Sequence, residues 1–181
     1  MSTKTEATIE DLHRVDGKAE LVNGEIVHMS PTGGRPSLAA RAIVLSLYAY
    51  ERRAQGGYAI TDNAAFRVNL PHRKSFSPDA AFYVGPEPTM KFFEGAPVFA
   101  AEVRSEGDYG PKAEEEMAAK RADYFAAGTQ VVWDVDLLSE TPVRVYRASD
   151  PSRPTPYGRG ETAEAEPALP GWAMPVDDLL A

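Results

Sequence analysis

The sequence contains no cysteine. That excludes disulfides, thiolate zinc sites and cysteine nucleophiles outright. It leaves a reducing cytoplasm as the default compartment. No apolar run is long enough to cross a bilayer, and the opening MSTKTEATIE lacks the apolar stretch of a secretory signal. A cytoplasmic protein with no membrane partner is therefore expected. Positive charge is in short supply: 19 Lys and Arg stand against 27 Asp and Glu, for a net charge of −8. Affinity for phosphates comes mainly from Lys and Arg releasing counterions, so this balance counts against a nucleic-acid partner. It is a global sum, however, and a local cleft can carry the opposite sign. Histidine is sparse, and His13 and His28 are too scattered to make a metal site. There is no repeat and no low-complexity tract.

What is present fits one domain spanning residues 1–181, long enough for a hydrophobic core. Residues 1–7 read as a disordered polar start. Thr8 can cap a short helix with Asp11 in its first turn. In Ala19–Met29, two strand-like runs flank Asn23-Gly24, the strongest short hairpin signal. A helix is predicted from Pro36 to about Gln55, with Leu38, Ala42, Leu45 and Ala49 at helical spacing and Gly56-Gly57 as its stop. Strands are predicted at Tyr58–Ile60, Ala65–Val68, Asp79–Val84, Val98–Val103, Val131–Val135 and Val143–Tyr146. A second helix covers about Lys112 to Ala127 and ends at Gly128. Ser149 to Pro170 reads as loops with one or two edge strands, and Val176–Leu180 as a short helix in a docked tail. The fold class is α/β: one mixed central sheet flanked by helices, with an N-terminal β-hairpin.

The chemistry concentrates between Ser77 and Asp136. Asp79 opens one strand and Glu102 closes the next. If these strands pair antiparallel, the two carboxylates sit side by side, and they repel unless something positive lies between them. A divalent cation with oxygen ligands is the usual solution. The competing reading is that each simply ends a strand in solvent, which is favoured for Asp79 alone. Ala113, Met117, Lys120, Tyr124 and Ala127 share one helical face, the apolar one. Lys120 must therefore snorkel, pair with Glu116 one turn earlier, or meet a carboxylate inside. An inward lysine following a strand that ends in glutamate is what a metal-dependent phosphodiesterase needs. His72-Arg73-Lys74 could meet a phosphate backbone, though a solvated turn is the simpler reading. Trp133 and Trp172 could stack on bases, but core packing is the better use of both. Asp134 and Asp136 share a strand face; ending the strand fits them better than extra ligation.

Several pieces occur in one order: Glu20-Leu-Val-Asn-Gly-Glu25, Met29-Ser-Pro-Thr-Gly-Gly34, Ser77-Pro-Asp79, Glu102-Val-Arg-Ser105, Lys120-Arg-Ala-Asp-Tyr124, Val132-Trp-Asp-Val-Asp136 and Leu169-Pro-Gly-Trp172. The ordered set resembles the Uma-type family of restriction-endonuclease-like proteins, within the wider PD-(D/E)XK nuclease class, over roughly Glu20 to Leu180. The resemblance implies a restriction-endonuclease-like mixed sheet, a Mg2+ or Mn2+ site, and hydrolysis of nucleic-acid phosphodiesters, DNA above all, by a homodimer. Carried over by position, Asp79 and Glu102 match the metal carboxylates, Glu20 the upstream acid that joins them, and Lys120 the catalytic lysine. Arg104 stands where the class motif has lysine; it stays charged, so it would bind phosphate rather than act as a base. A surface arginine past the strand end is the equal alternative. Many relatives carry a histidine just after the Gly-Gly of the N-terminal loop. This chain has Gly34-Arg35-Pro36, so Arg35 takes that place as a candidate substrate contact. The other functional reading is a nuclease fold that has lost activity and binds nucleic acid or protein.

Overall fold

Asn23 and Gly24 both take positive φ, 52° and 70°. That is the backbone a tight two-residue hairpin turn needs, and few residues other than Asn and Gly adopt it readily. The turn joins β1 (Ala19–Val22) to β2 (Glu25–His28), paired antiparallel from Val22 opposite Glu25 to Ala19 opposite His28. In the computed structural model, which describes residues 5–180, this hairpin follows a capped helical turn, α1 (Ile9–Leu12). Of the segment 1–7 read as a disordered start, residues 5–7 are described, and the Ala7 N–H donates to Gly24 O at 2.8 Å. Residues 1–4 lie outside the described part.

After the hairpin come α2 (Gly34–Glu51), β3 (Tyr58–Ile60), β4 (Phe66–Arg67), β5 (Ser75–Phe76), β6 (Ala80–Tyr83), β7 (Phe93–Glu94) and β8 (Phe99–Val103). Then follow α3 (Pro111–Ala126), β9 (Val131–Val135), β10 (Val143–Arg147), β11 (Asp150–Tyr157), β12 (Thr162–Glu164), β13 (Ala173–Pro175) and a 3-10 turn at Val176–Leu179. Six strands make the central sheet in the order β11-β10-β9-β8-β6-β3. Within this sheet only β8 and β9 run parallel. A parallel pair needs a crossover, and α3 supplies it. The region read as loops with one or two edge strands contributes β11, a long edge strand carrying Pro151, Pro154 and Pro156. Proline is tolerated at an edge because its missing N–H would face solvent there. Among the described residues, no helix is long and apolar enough to cross a membrane.

The side-chain alternation of a strand separates two cores. On one face, Phe82, Phe99, Ala101, Trp133 and Val135 pack with α2 and the C-terminal segment. On the other, Ala81, Tyr83, Ala100 and Val132 pack with Tyr124 of α3 and with Phe66 and Phe76. Trp133 and Trp172 are core residues, with ring centroids 5.0 Å apart. Their indole N–H groups donate to Glu164 O at 2.9 Å and Ser46 Oγ at 3.1 Å. Trp133→Ala should cost about 3–5 kcal/mol in urea unfolding. A loss below about 1 kcal/mol would mean that the first core is not packed this way.

The helix α2 departs from expectation. Its buried residues are Ala39, Ala40, Ile43 and Leu47, whereas Leu38 and Leu45 face solvent. The helix is apolar on two sides, so spacing alone picks either stripe. The sheet decides between them, and its aromatic face packs against Ala39, Ala40, Ile43 and Leu47.

Candidate active site

The pairing of β6 with β8 sets Ala80 opposite Ala101 and Ala81 opposite Ala100. Continuing this register by one residue brings Asp79 opposite Glu102. The Asp79 N–H donates to Ala101 O at 3.1 Å, and the Val103 N–H donates to Asp79 Oδ2 at 2.7 Å. The aspartate is therefore clipped to the end of β8. By the two-residue period, both acids share the face of Ala81 and Ala100, the face that α3 covers.

Lys120 comes down onto them. Its Nζ lies 2.8 Å from Glu102 Oε1 and 2.9 Å from Glu20 Oε1. One turn on, the fully buried Tyr124 donates its hydroxyl to Glu102 Oε1 at 2.6 Å. The routine alternative, a Glu116–Lys120 pair, is not formed; Glu116 pairs with Lys112 at 3.7 Å. Burial works against the charge on Lys120, but Glu102 and Glu20 outweigh it and hold the ammonium well above the usual lysine range. For Glu102 the balance falls the other way. Burial, together with the negative charges of Asp79 and Glu20, lifts its carboxyl above the usual range, and Lys120 and Lys18 offset only part. Its Oε2 takes no hydrogen bond from the described residues.

Glu20 reaches the pair through Lys120, whose ammonium it shares with Glu102. It is buried, with Oε2 on Arg73 Nη1 at 2.6 Å and Oε1 shared by Lys120 and the Ser77 N–H at 2.8 Å. Burial opposes its charge, yet Lys120 and Arg73 more than compensate and keep its carboxyl below the usual range. With both oxygens held, Glu20 has the geometry of a carboxylate that positions Lys120. Among the described residues, no three His, Asp or Glu side chains come together as a group able to hold a cation.

Arg104 is not a surface arginine and has no open edge for a phosphate. It is 4% exposed. Its guanidinium grips Asp134 through Nε at 2.8 Å and Nη2 at 2.7 Å, and also pairs with Glu114. Hydrogen bonds to Asp134, opposed by burial, raise it further above the usual arginine range. Asp134 is consumed by this pair, with Arg144 and Arg121 at 3.5 and 3.7 Å. Asp136 accepts from the Tyr109 hydroxyl and the Leu138 N–H as the strand ends. Arg35 lies exposed in the first turn of α2.

Two cations were not singled out from sequence as parts of the site. Lys18 Nζ lies 2.6 Å from Asp79 Oδ1 and 2.7 Å from Asp62 Oδ1. A signal existed: Lys18 and Glu20 alternate along the first strand, so they face the same side. Arg73, read as part of a solvated turn, is buried and bridges Glu20 to Asp123 at 2.8 Å. No local signal could find it, because its partners lie 53 and 50 positions away in sequence.

The donor set at Asp79 and Glu102 consists of carboxylates alone, with no sulfur and no imidazole. It suits a hard cation such as Mg2+, which binds through one or two carboxylates and keeps waters for the rest.

Comparison with known proteins agrees with this architecture. A solved structure from Anabaena variabilis, described as a putative nuclease belonging to DUF820, superposes with a TM-score of 0.74. The two are 17% identical, and the match covers 96% of this chain and 97% of that one. At such identity the likeness shows the fold: a mixed α/β nuclease fold with an N-terminal hairpin. No curated protein matches the chain. The profile of the family Uma2, described as "Putative restriction endonuclease", matches residues 8–177. The chain belongs to the Uma2 family.

Proposed function

We propose that this protein is a divalent-cation-dependent endonuclease that hydrolyses phosphodiester bonds of DNA. The observation that carries this reading is the convergence of Asp79, Glu102 and Lys120 at one end of the paired strands β6 and β8, where two opposed carboxylates meet an ammonium delivered by the crossover helix. Asp79 and Glu102 would hold the cation, which when bound would supply positive charge against the phosphoryl oxygens. Lys120 stays protonated between Glu102 and Glu20, so its part is to bind negative charge rather than to take a proton. Glu20 and Arg73 hold Lys120 in place. The homodimer rests on the family resemblance, and sedimentation checks it.

One observation favours the second reading, a nuclease fold with a shut site: Lys18 already neutralises Asp79. Calorimetric titration with Mn2+, run beside a plasmid-cleavage assay, separates the two. The nuclease reading expects Mn2+ binding and cleavage by the wild type, with both lost in Asp79→Asn. Absence of both from the wild type would leave the shut site standing.

A further inference from the structure

Charged side chains run in a row across the sheet face that α3 covers. Glu102 on β8 is paired with Asp134 on β9, and Asp134 is paired in turn with Arg144 on β10. Asp79, just ahead of β6, ends the row on the other side of Glu102. Neighbouring strands lie about 4.8 Å apart, so β10 is about 10 Å from β8. Two more arginines join from outside the row. Arg104 follows Glu102 by two residues, and Arg121 follows Lys120 on α3. Three guanidiniums therefore gather around Asp134, one strand away from the carboxylate pair.

One carboxylate does not need three guanidiniums. Arg104 already holds Asp134 through two hydrogen bonds. Arg144 and Arg121 approach the same Oδ2 only to 3.5 and 3.7 Å, and among the described residues neither makes a side-chain hydrogen bond. The Arg144 Nε is buried without a hydrogen-bond partner, the one such side-chain nitrogen or oxygen among the described residues. Its guanidinium can therefore turn to a ligand without breaking a hydrogen bond. The other acids close by are engaged. Glu114 is taken by Arg104, and Asp136 accepts from the Tyr109 hydroxyl and the Leu138 N–H.

The remaining geometry leaves this spot open to a ligand. Arg144 has 29% of its side chain exposed. Pro156, its neighbour on β11, is exposed as well, so the row opens to solvent toward the edge strand. Arg121 lies 4.0 Å over the ring of Tyr146, which alternates with Arg144 on β10 and shares its face. Stacking fixes the plane of that guanidinium and leaves its N–H edges pointing sideways. We infer that Arg144, with Arg121 beside it, seats a backbone phosphate of the DNA strand that crosses Asp79 and Glu102. This rests on the nuclease reading above and adds the residues that fix the strand's path. The span of about 10 Å is roughly three nucleotides of rise at 3.4 Å each, so a second phosphate of the same strand falls within reach. Such contacts position a substrate without reading its sequence. Arginine suits them because its planar fork donates two hydrogen bonds at once.

The test is fluorescence anisotropy with a labelled DNA duplex, in EDTA so that nothing is cut, across a salt series. Wild type is compared with Arg144→Gln. The control is Arg53→Gln, which removes the same charge just past α2, the helix packed on the other face of the sheet. In Arg144→Gln the log–log salt slope should fall by about 0.9, the value of one phosphate left without its cation, with binding at least about fivefold weaker at 0.1 M salt. Arg53→Gln should behave as wild type. The Tm of Arg144→Gln should hold, since Asp134 keeps both hydrogen bonds to Arg104. Arg144→Lys should restore the slope but not the full affinity, because it keeps the charge and loses the fork. In the Mn2+ cleavage assay the loss should appear in KM. An unchanged slope overturns the inference, as does a wild type that does not bind the duplex, or an equal loss in Arg53→Gln. So does a Tm that falls in Arg144→Gln while the slope stays, the mark of an arginine kept only for Asp134. A reduced slope with no cleavage by the wild type would sink the nuclease reading and leave the phosphate seat in place; cleavage with an unchanged slope would do the reverse.

Discussion

Replacing Glu102 with glutamine should abolish nuclease activity, by at least about 10²-fold in kcat, without lowering the Tm. The loss follows from removing one of two carboxylates proposed to hold the cation. The unaffected Tm follows from the direction of the Glu102 shift. Burial, with repulsion from Asp79 and Glu20, raises its carboxyl above the unfolded value. For an acid, a raised folded pKa means stability that is present at low pH and falls as pH rises through that pKa. The repulsion felt by the charge on Glu102 thus counts against the fold, while its attraction for the buried Lys120 ammonium counts for it, so the two offset each other. Glutamine removes the charge and keeps an acceptor oxygen for Lys120 and Tyr124. Thermal melts of the cation-free protein at pH 7 check this, and a variant less stable by more than about 1 kcal/mol would show that the carboxylate is there for structure.

Arg104 makes the opposite prediction. Arg104→Ala should destabilise the protein by about 3–5 kcal/mol, because it leaves Asp134 buried without its bidentate partner. For a chain of this size, that corresponds to a Tm lower by roughly 6–20 °C. Arg104→Lys should recover only part, since an ammonium cannot span Asp134 and Glu114 in the same plane. Had Arg104 been a phosphate contact, alanine would weaken substrate binding and leave the Tm alone. Thermal unfolding and KM measured on one preparation tell these outcomes apart.

These two residues also mark what could be read from the chain and what could not. Patterns short in sequence were legible. Asn23-Gly24 forced the hairpin, and Val131–Val135 appeared as predicted. The register that places Asp79 opposite Glu102 needed only the assumption that consecutive strands pair antiparallel. Lys120 was legible because a charge in an apolar helical stripe must find a partner. Contacts that depend on where distant segments land were hidden. Asp134 is 30 residues from Arg104, and Asp79 is 61 from Lys18. No spacing rule connects such pairs. The orientation of α2 was hidden for a different reason: Leu38-Leu45 and Ile43-Leu47 both satisfy helical periodicity, and only the sheet decides between them. Glu20 landed beside Lys120, but its other partners, Arg73 and Ser77, were hidden for the same reason.

The central claim is that Asp79 and Glu102 share one cation. A crystal soaked in Mn2+ and measured at an anomalous wavelength tests it directly. The account predicts one strong peak within bonding distance of both carboxylates, with Lys18 drawn away from Asp79. A peak at any other position, or Lys18 still seated on Asp79 with no peak beside it, would contradict the account.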